Sequence, residues 1–146
     1  MDLEDQIVGR VIYYFRQEMK VREDLVLACG DKCVELYGFR FTLSIDESNI
    51  DVAIDPPAGK RREFESHLKR IETGDFWKGD SMRHLRDSKN KYKGRIKNRK
   101  FYQNGDGRYH FKAEVRSSDP LIIGNSLIGY VIRPVLLFKR SKVTSQ

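Results

Sequence analysis

The chain has no uncharged apolar run near the roughly 18 residues that a bilayer-spanning helix requires, and its first residues show no charged stretch leading into an apolar one. Neither membrane insertion nor export by that route is expected. Cysteine is scarce: Cys29 and Cys33 are the only two, too few for a disulfide framework. They read as reduced thiols of an intracellular protein, cytoplasmic or nuclear. No second Cys or His pair stands at zinc spacing from them, and His67, His84 and His110 are scattered among basic residues, so neither a metal nor a cofactor is expected. A phosphate-cradling Walker A loop, a dinucleotide glycine fingerprint, a nucleophile elbow and an HExxH zinc motif are all missing. There is no internal repeat and no low-complexity tract.

What is present suits a folded body. At 146 residues the chain has the size of one domain, expected to span 1–146. Its hydrophobic share of 39% is a little low and its charged share of 34% high, but 8 Phe and 7 Tyr argue against disorder.

Taken in order, Leu3, Ile7, Val11, Phe15 and Met19 recur at four-residue steps and predict an amphipathic helix over 3–20, with Asp2 as its cap. Gly9 within it suggests close packing. Leu25 to Cys29 and the residues from Lys32 read as a hairpin around Gly30-Asp31, the pattern of a type II′ turn. Tyr37, Phe39, Phe41, Leu43 and Ile45 alternate with polar residues, the clearest period of two in the chain, with a bulge expected at Gly38 where the apolar phase shifts. Asp46 to Asn49 turns the chain into Ile50, Val52 and Ile54. A helix is expected from Asp55 as cap and Pro56 as its first residue, with Phe64, Leu68 and Ile71 as its apolar stripe and Gly74 as its stop. Phe76 and Trp77 lie in the connection that follows, where Trp77, the only tryptophan, reads as a core anchor. Asn104 to Gly107 is a strong turn between 99–103 and 108–116. Leu121 to Ile123 and Leu127 to Ile132 read as a further strand pair that Ser117 to Pro120 precedes and Pro134 interrupts, and 139–146 as a flexible basic tail. The fold class is therefore α+β: an antiparallel sheet built from successive hairpins, an N-terminal helix packed on it, and a helical basic insertion between the two halves of the sheet.

Acidic residues are almost absent from one place. Ser81 to Lys100 holds nine of the 28 Lys and Arg residues and a single acid, Asp87, leaving 19 bases against 20 acids elsewhere. The whole +7 excess sits in that segment. Met82, Leu85, Tyr92 and Ile96 fit a helix there, while Gly94 and the polar Asp87, Ser88 and Asn90 fit a loop that orders on binding. A helix held by ion pairs would carry acids four residues before most of its lysines, and here Asp87, four before Lys91, is the single instance. A near-neutral body with one concentrated positive segment suits an anionic partner.

Nucleic acid, RNA or DNA, is the partner expected. Arg83, Arg86, Lys89, Lys91, Lys93, Arg95, Lys97, Arg99 and Lys100 are the candidate phosphate contacts, with Lys112 on the strand after the turn. Tyr92 and Tyr102 are candidate stacking faces, and Tyr109 a further one; these aromatics favour RNA or single strands over the reading of duplex grooves. Two alternatives remain. One is an assembly or adaptor domain whose basic face meets an acidic protein or surface, with Phe76 and Trp77 as its apolar contact. The other applies if the chain is an enzyme: a divalent-metal-dependent nuclease using Asp46, Asp51, Asp55 and Glu114. The charge pattern points to binding rather than catalysis.

Overall fold

A computed structural model describes residues 2–79, 82–91 and 95–138, with the side chains of 88 and 89 outside the description. The architecture is α+β. Helix α1 (Leu3–Tyr13) leads into strands β1 (Val26–Ala28), β2 (Cys33–Leu36), β3 (Phe39–Asp46) and β4 (Asn49–Asp55). Helices α2 (Arg61–Thr73) and α3 (Arg83–Lys91) follow, then β5 (Ile96–Gln103) and β6 (Tyr109–Val115), and finally α4 (Pro120–Leu127), a π-helical turn (Ile128–Ile132) and α5 (Arg133–Leu136). The six strands form one antiparallel sheet in the order β1-β2-β3-β4-β6-β5. The α2–α3 excursion sits between β4 and β5, and β6 returns to pair with β4.

The register explains why the sheet has one dry face. Phe41, Ile54 and Tyr109 are matched across three strands, as are Leu43, Val52 and Phe111, and all six are buried. Their neighbours along each strand, among them Arg40, Ser44, Asp51, Lys112 and Glu114, share the opposite face. The helices cover only the dry side. There Phe39 meets Phe64 of α2 and Phe138, and α1 packs on α4 and on β1 to β3.

Helix α1 begins as expected, with the Asp2 side chain accepting from the Asp5 backbone N–H. Its end differs. Tyr14–Glu18 is a π turn, whose extra residue rotates the stripe, so Phe15 stays buried while Met19 turns out to solvent. Gly9 is not a close-packing site: a Cβ there would meet nothing within 4 Å. The glycine that does permit close approach is Gly124 of α4, where a Cβ would stand 2.8 Å from Arg10 Cγ.

Five further expectations are corrected. The β1–β2 hairpin closes by the Cys29 N–H to Cys33 carbonyl bond around three residues, not two, and Cys29 and Cys33 are joined as a disulfide, not reduced thiols. Gly38 is not a bulge; Tyr37 (φ 53°) and Gly38 (φ 87°) are the two central residues of a tight β2–β3 turn, a type I′ pattern that requires positive φ at both. Asp55 and Pro56 do not open α2: Asp55 ends β4, and the helix starts at Arg61 and stops, as expected, at Gly74 (φ 91°).

The last correction is the largest. The apolar run after Pro120 is helical, with the Asp119 carboxylate capping the Leu121 N–H and Pro120 in the first turn. A helix buried on nearly every side has no polar stripe, so its sequence lacks a period to read. The π turn before Pro134 suits a residue with no N–H to give, and the Pro134 carbonyl accepts a hydrogen bond from His67 Nε2 at 2.7 Å. The tail at 139–146 lies outside the described residues. Among the described residues, no helix is long and apolar enough to cross a membrane.

Candidate nucleic-acid interface

The basic segment is divided between two elements. Helix α3 carries Arg83, Arg86, Lys89 and Lys91, anchored by buried Leu85. At Ile96, itself fully buried, the chain enters β5, so Lys97, Arg99 and Lys100 stand on an edge strand and not on a helix. Tyr92 and Lys93 lie outside the described residues. A register shift between Lys97 and Lys100, with Asn98 at φ 56°, bulges that edge.

The candidate bases differ in what they already hold. Arg86 is turned inward, its Nη1 donating to the carbonyls of Trp77 (2.6 Å) and Gly79 (2.9 Å), so it pins the loop before α3. Arg99 donates to the Ile96 carbonyl at 3.0 Å and lays its guanidinium 4.4 Å from the centre of the Tyr130 ring. Arg83, Arg95, Lys97, Lys100 and Lys112 are exposed. Among the described residues none of these five takes part in an ion pair.

Two of the five face each other. Lys100 of β5 is the cross-strand partner of Lys112 of β6, a like-charged pair that costs stability where no anion lies between them. On its other side Lys112 is matched with Asp51 of β4, but that carboxylate is engaged elsewhere. Asp51 Oδ1 lies 2.7 Å from His110 Nδ1, and Oδ2 accepts from the Tyr102 hydroxyl. The Tyr102 ring stacks on the His110 ring at 5.0 Å, and Asp106 Oδ2 lies 3.4 Å from His110 Nε2. The bond to Asp51, with burial and the Asp51 charge behind it, pushes the Tyr102 phenol up to about 12.

The aromatic expectations are accordingly revised. Tyr109 points into the dry face, buried edge-on against Phe64, with its hydroxyl donating to Glu65 at 2.5 Å; it offers no stacking surface. Tyr102 has one ring face on His110, and the Lys112 ammonium lies 5.3 Å from its centre. Phe76 is buried against Trp77, which removes it as an exposed apolar contact.

The four carboxylates do not act together. Asp46, Asp51 and Glu114 line one cleft of about 420 Å³ on the open face, beside Lys112. Asp55 stands apart, held at both oxygens by Arg108 (3.1 and 2.7 Å), and Glu114 accepts from Asn98 at 2.8 Å. Among the described residues no three His, Cys, Asp or Glu side chains are grouped so as to hold a metal ion.

A second cleft, of about 340 Å³, lies where β5 meets the end of α2 and the π turn. Trp77, Phe101 and Tyr130 line it with Arg99, Lys100 and Glu72. Glu72 Oε1 accepts the Phe101 backbone N–H at 2.8 Å, which caps one open group of the edge strand. Tyr130 is 4% exposed, and among the described residues its hydroxyl has no hydrogen-bond partner. Neither Tyr130 nor Glu72 is singled out by the sequence, because the residues that surround them come from α2, the turn at Trp77, β5, β6 and the Ile128–Ile132 turn. Comparison of the chain with family models, with curated proteins and with solved structures finds no match.

Proposed function

We propose that the chain is a nucleic-acid-binding protein that takes RNA or single-stranded nucleic acid along strand β5. The observation that carries the reading is the Lys100–Lys112 pair, two ammonium groups matched across strands with neither in an ion pair among the described residues. A phosphate between them turns a repulsive pair into a favourable one. Lys97 and Arg95 extend the positive line toward the start of β5, and Arg83 adds to it from α3. Single strands are favoured because the bases lie along a bulged sheet edge, a shape that tracks a flexible backbone rather than a duplex groove. Such a partner goes with a cytoplasmic or nuclear setting, where reducing conditions act on the Cys29–Cys33 bond. That bond clamps the far edge of the sheet, so binding does not depend on it.

Lysines and bulges on an edge strand also block edge-to-edge pairing between copies. Binding of labelled single-stranded RNA and duplex DNA by wild type and by a Lys97→Ser, Lys100→Ser, Lys112→Ser variant separates the two roles. Loss of affinity in a variant that stays monomeric supports the reading. Equal, weak binding by both proteins removes it and turns attention to an acidic protein partner.

A further inference from the structure

The cleft beside β5 has features that phosphate contacts leave unexplained. Its walls are aromatic, Trp77, Phe101 and Tyr130, while the Arg99 guanidinium beside the Tyr130 ring supplies positive charge. Its volume of about 340 Å³ falls at the small end of ligand pockets, suited to a single planar ring system. Tyr130 is almost wholly buried with a hydroxyl that is unpartnered among the described residues, although a Tyr hydroxyl both donates and accepts. Glu72 has one oxygen on the Phe101 N–H, which leaves the other to accept from an amino group.

Lys100 joins this cleft to the proposed phosphate path, since it both lines the cleft and faces Lys112 across the strands. We propose that the cleft receives one unstacked base of a single strand whose phosphates follow Lys97, Lys100 and Lys112, with Tyr130 and Glu72 as its polar contacts. The proposal rests on the nucleic-acid reading above and adds the chemical group that is held. Aromatic walls grip the face of any base, and a base already free of a duplex enters without the cost of unpairing.

The chain reports on its own cleft, because Trp77 is its only tryptophan. Tryptophan fluorescence and affinity are measured together for a short single-stranded RNA, for the same backbone made wholly abasic, and for free AMP and CMP. Wild type is compared with Tyr130→Phe, which keeps the ring, and with Arg99→Gln. The expected result is that RNA changes the Trp77 emission, that the abasic strand binds about tenfold or more weakly without changing it, and that Tyr130→Phe lowers RNA affinity about 2- to 10-fold. Matching far-ultraviolet circular dichroism of wild type and variants checks that the fold is kept. If the abasic strand binds as tightly as RNA and Trp77 does not respond, the cleft is empty in the complex and the proposal is overturned while the phosphate path stands. A response to AMP or CMP with none to RNA overturns it too, in favour of a free-nucleotide site. Absence of salt-dependent binding to every strand defeats the underlying reading itself.

Discussion

Two glycines in helices should respond oppositely to the same substitution. Gly9 and Gly124 both have helical backbone, so alanine gains each about 1 kcal/mol from a less flexible unfolded chain. At Gly9 nothing opposes the gain, because the added methyl meets open space. At Gly124 it would stand 2.8 Å from Arg10 Cγ and 3.2 Å from Arg10 Cβ. Arg10 is not free to swing aside: its Nε donates to Asn125 at 2.9 Å and its Nη2 pairs with Glu18 at 3.3 Å. Overpacking of this kind costs about 1–3 kcal/mol, and a lost hydrogen bond about 1 kcal/mol more. The clash wins. Urea denaturation followed by circular dichroism should put Gly9→Ala about 0.5–1 kcal/mol above wild type and Gly124→Ala about 1–3 kcal/mol below it. In an Arg10→Ala background, which removes Cγ, the Gly124→Ala cost should shrink. A Gly124→Ala protein as stable as Gly9→Ala would refute the close approach of α1 and α4.

Three other outcomes follow from the packing of His67, of the buried tyrosines and of the β1–β2 hairpin. Burial holds the His67 imidazole below its ordinary 6.5, against the opposing pull of its bond to Pro134. The folded state therefore disfavours the charged form: His67's share of stability is complete above pH 6.5 and is lost as pH falls below it, which denaturation midpoints of wild type and His67→Gln from neutral to mildly acid pH should reveal as a shrinking difference. The Tyr102 phenol is pushed up to about 12 by its bond to Asp51, and that of Tyr109 to about 12 by burial first and Glu65 second. Both stabilise fully below pH 10 and lose that share as pH rises through 12; burial raises the Tyr130 phenol as well, so tyrosinate absorbance should show at least three late-ionising residues, and Asp51→Asn should bring one of them back toward 10. Opening the Cys29–Cys33 bond, which closes a loop of about five residues, should cost about 2 kcal/mol on the chain-entropy account and leave the rest of the sheet paired. Unfolding midpoints with and without a thiol reductant measure it.

The chain discloses its strands better than its site. Phe39, Phe41, Leu43 and Ile45 alternate because one face is dry, and Asp2 and Gly74 mark helix ends through local chemistry that needs no partner. The run from Leu121 to Ile132 was opaque for the converse reason: a helix buried all round has no polar face, and Asp119-Pro120 reads equally as the stop of a strand or the cap of a helix. Tyr37 is in phase with Phe39 and Phe41, so the turn reads as the start of β3 and the phase shift from Leu36 as a bulge. The basic excess was plain in composition, yet its division between α3 and an edge strand was not, since Ile96 satisfies a helical spacing and a strand equally. Asp51, Tyr102 and His110 come together only through the register of three strands, and Tyr130 meets Trp77 and Arg99 only through tertiary packing.

Counterion release gives the most direct test of the central claim. The measurement is the affinity for a single-stranded RNA as a function of salt, in wild type and in the Lys97→Ser, Lys100→Ser, Lys112→Ser variant, whose three positions are exposed and whose stability should change little. With each lysine neutralising one phosphate, the log-log slope should be shallower in the variant by about 2. An identical slope in the two proteins would contradict a phosphate path along β5.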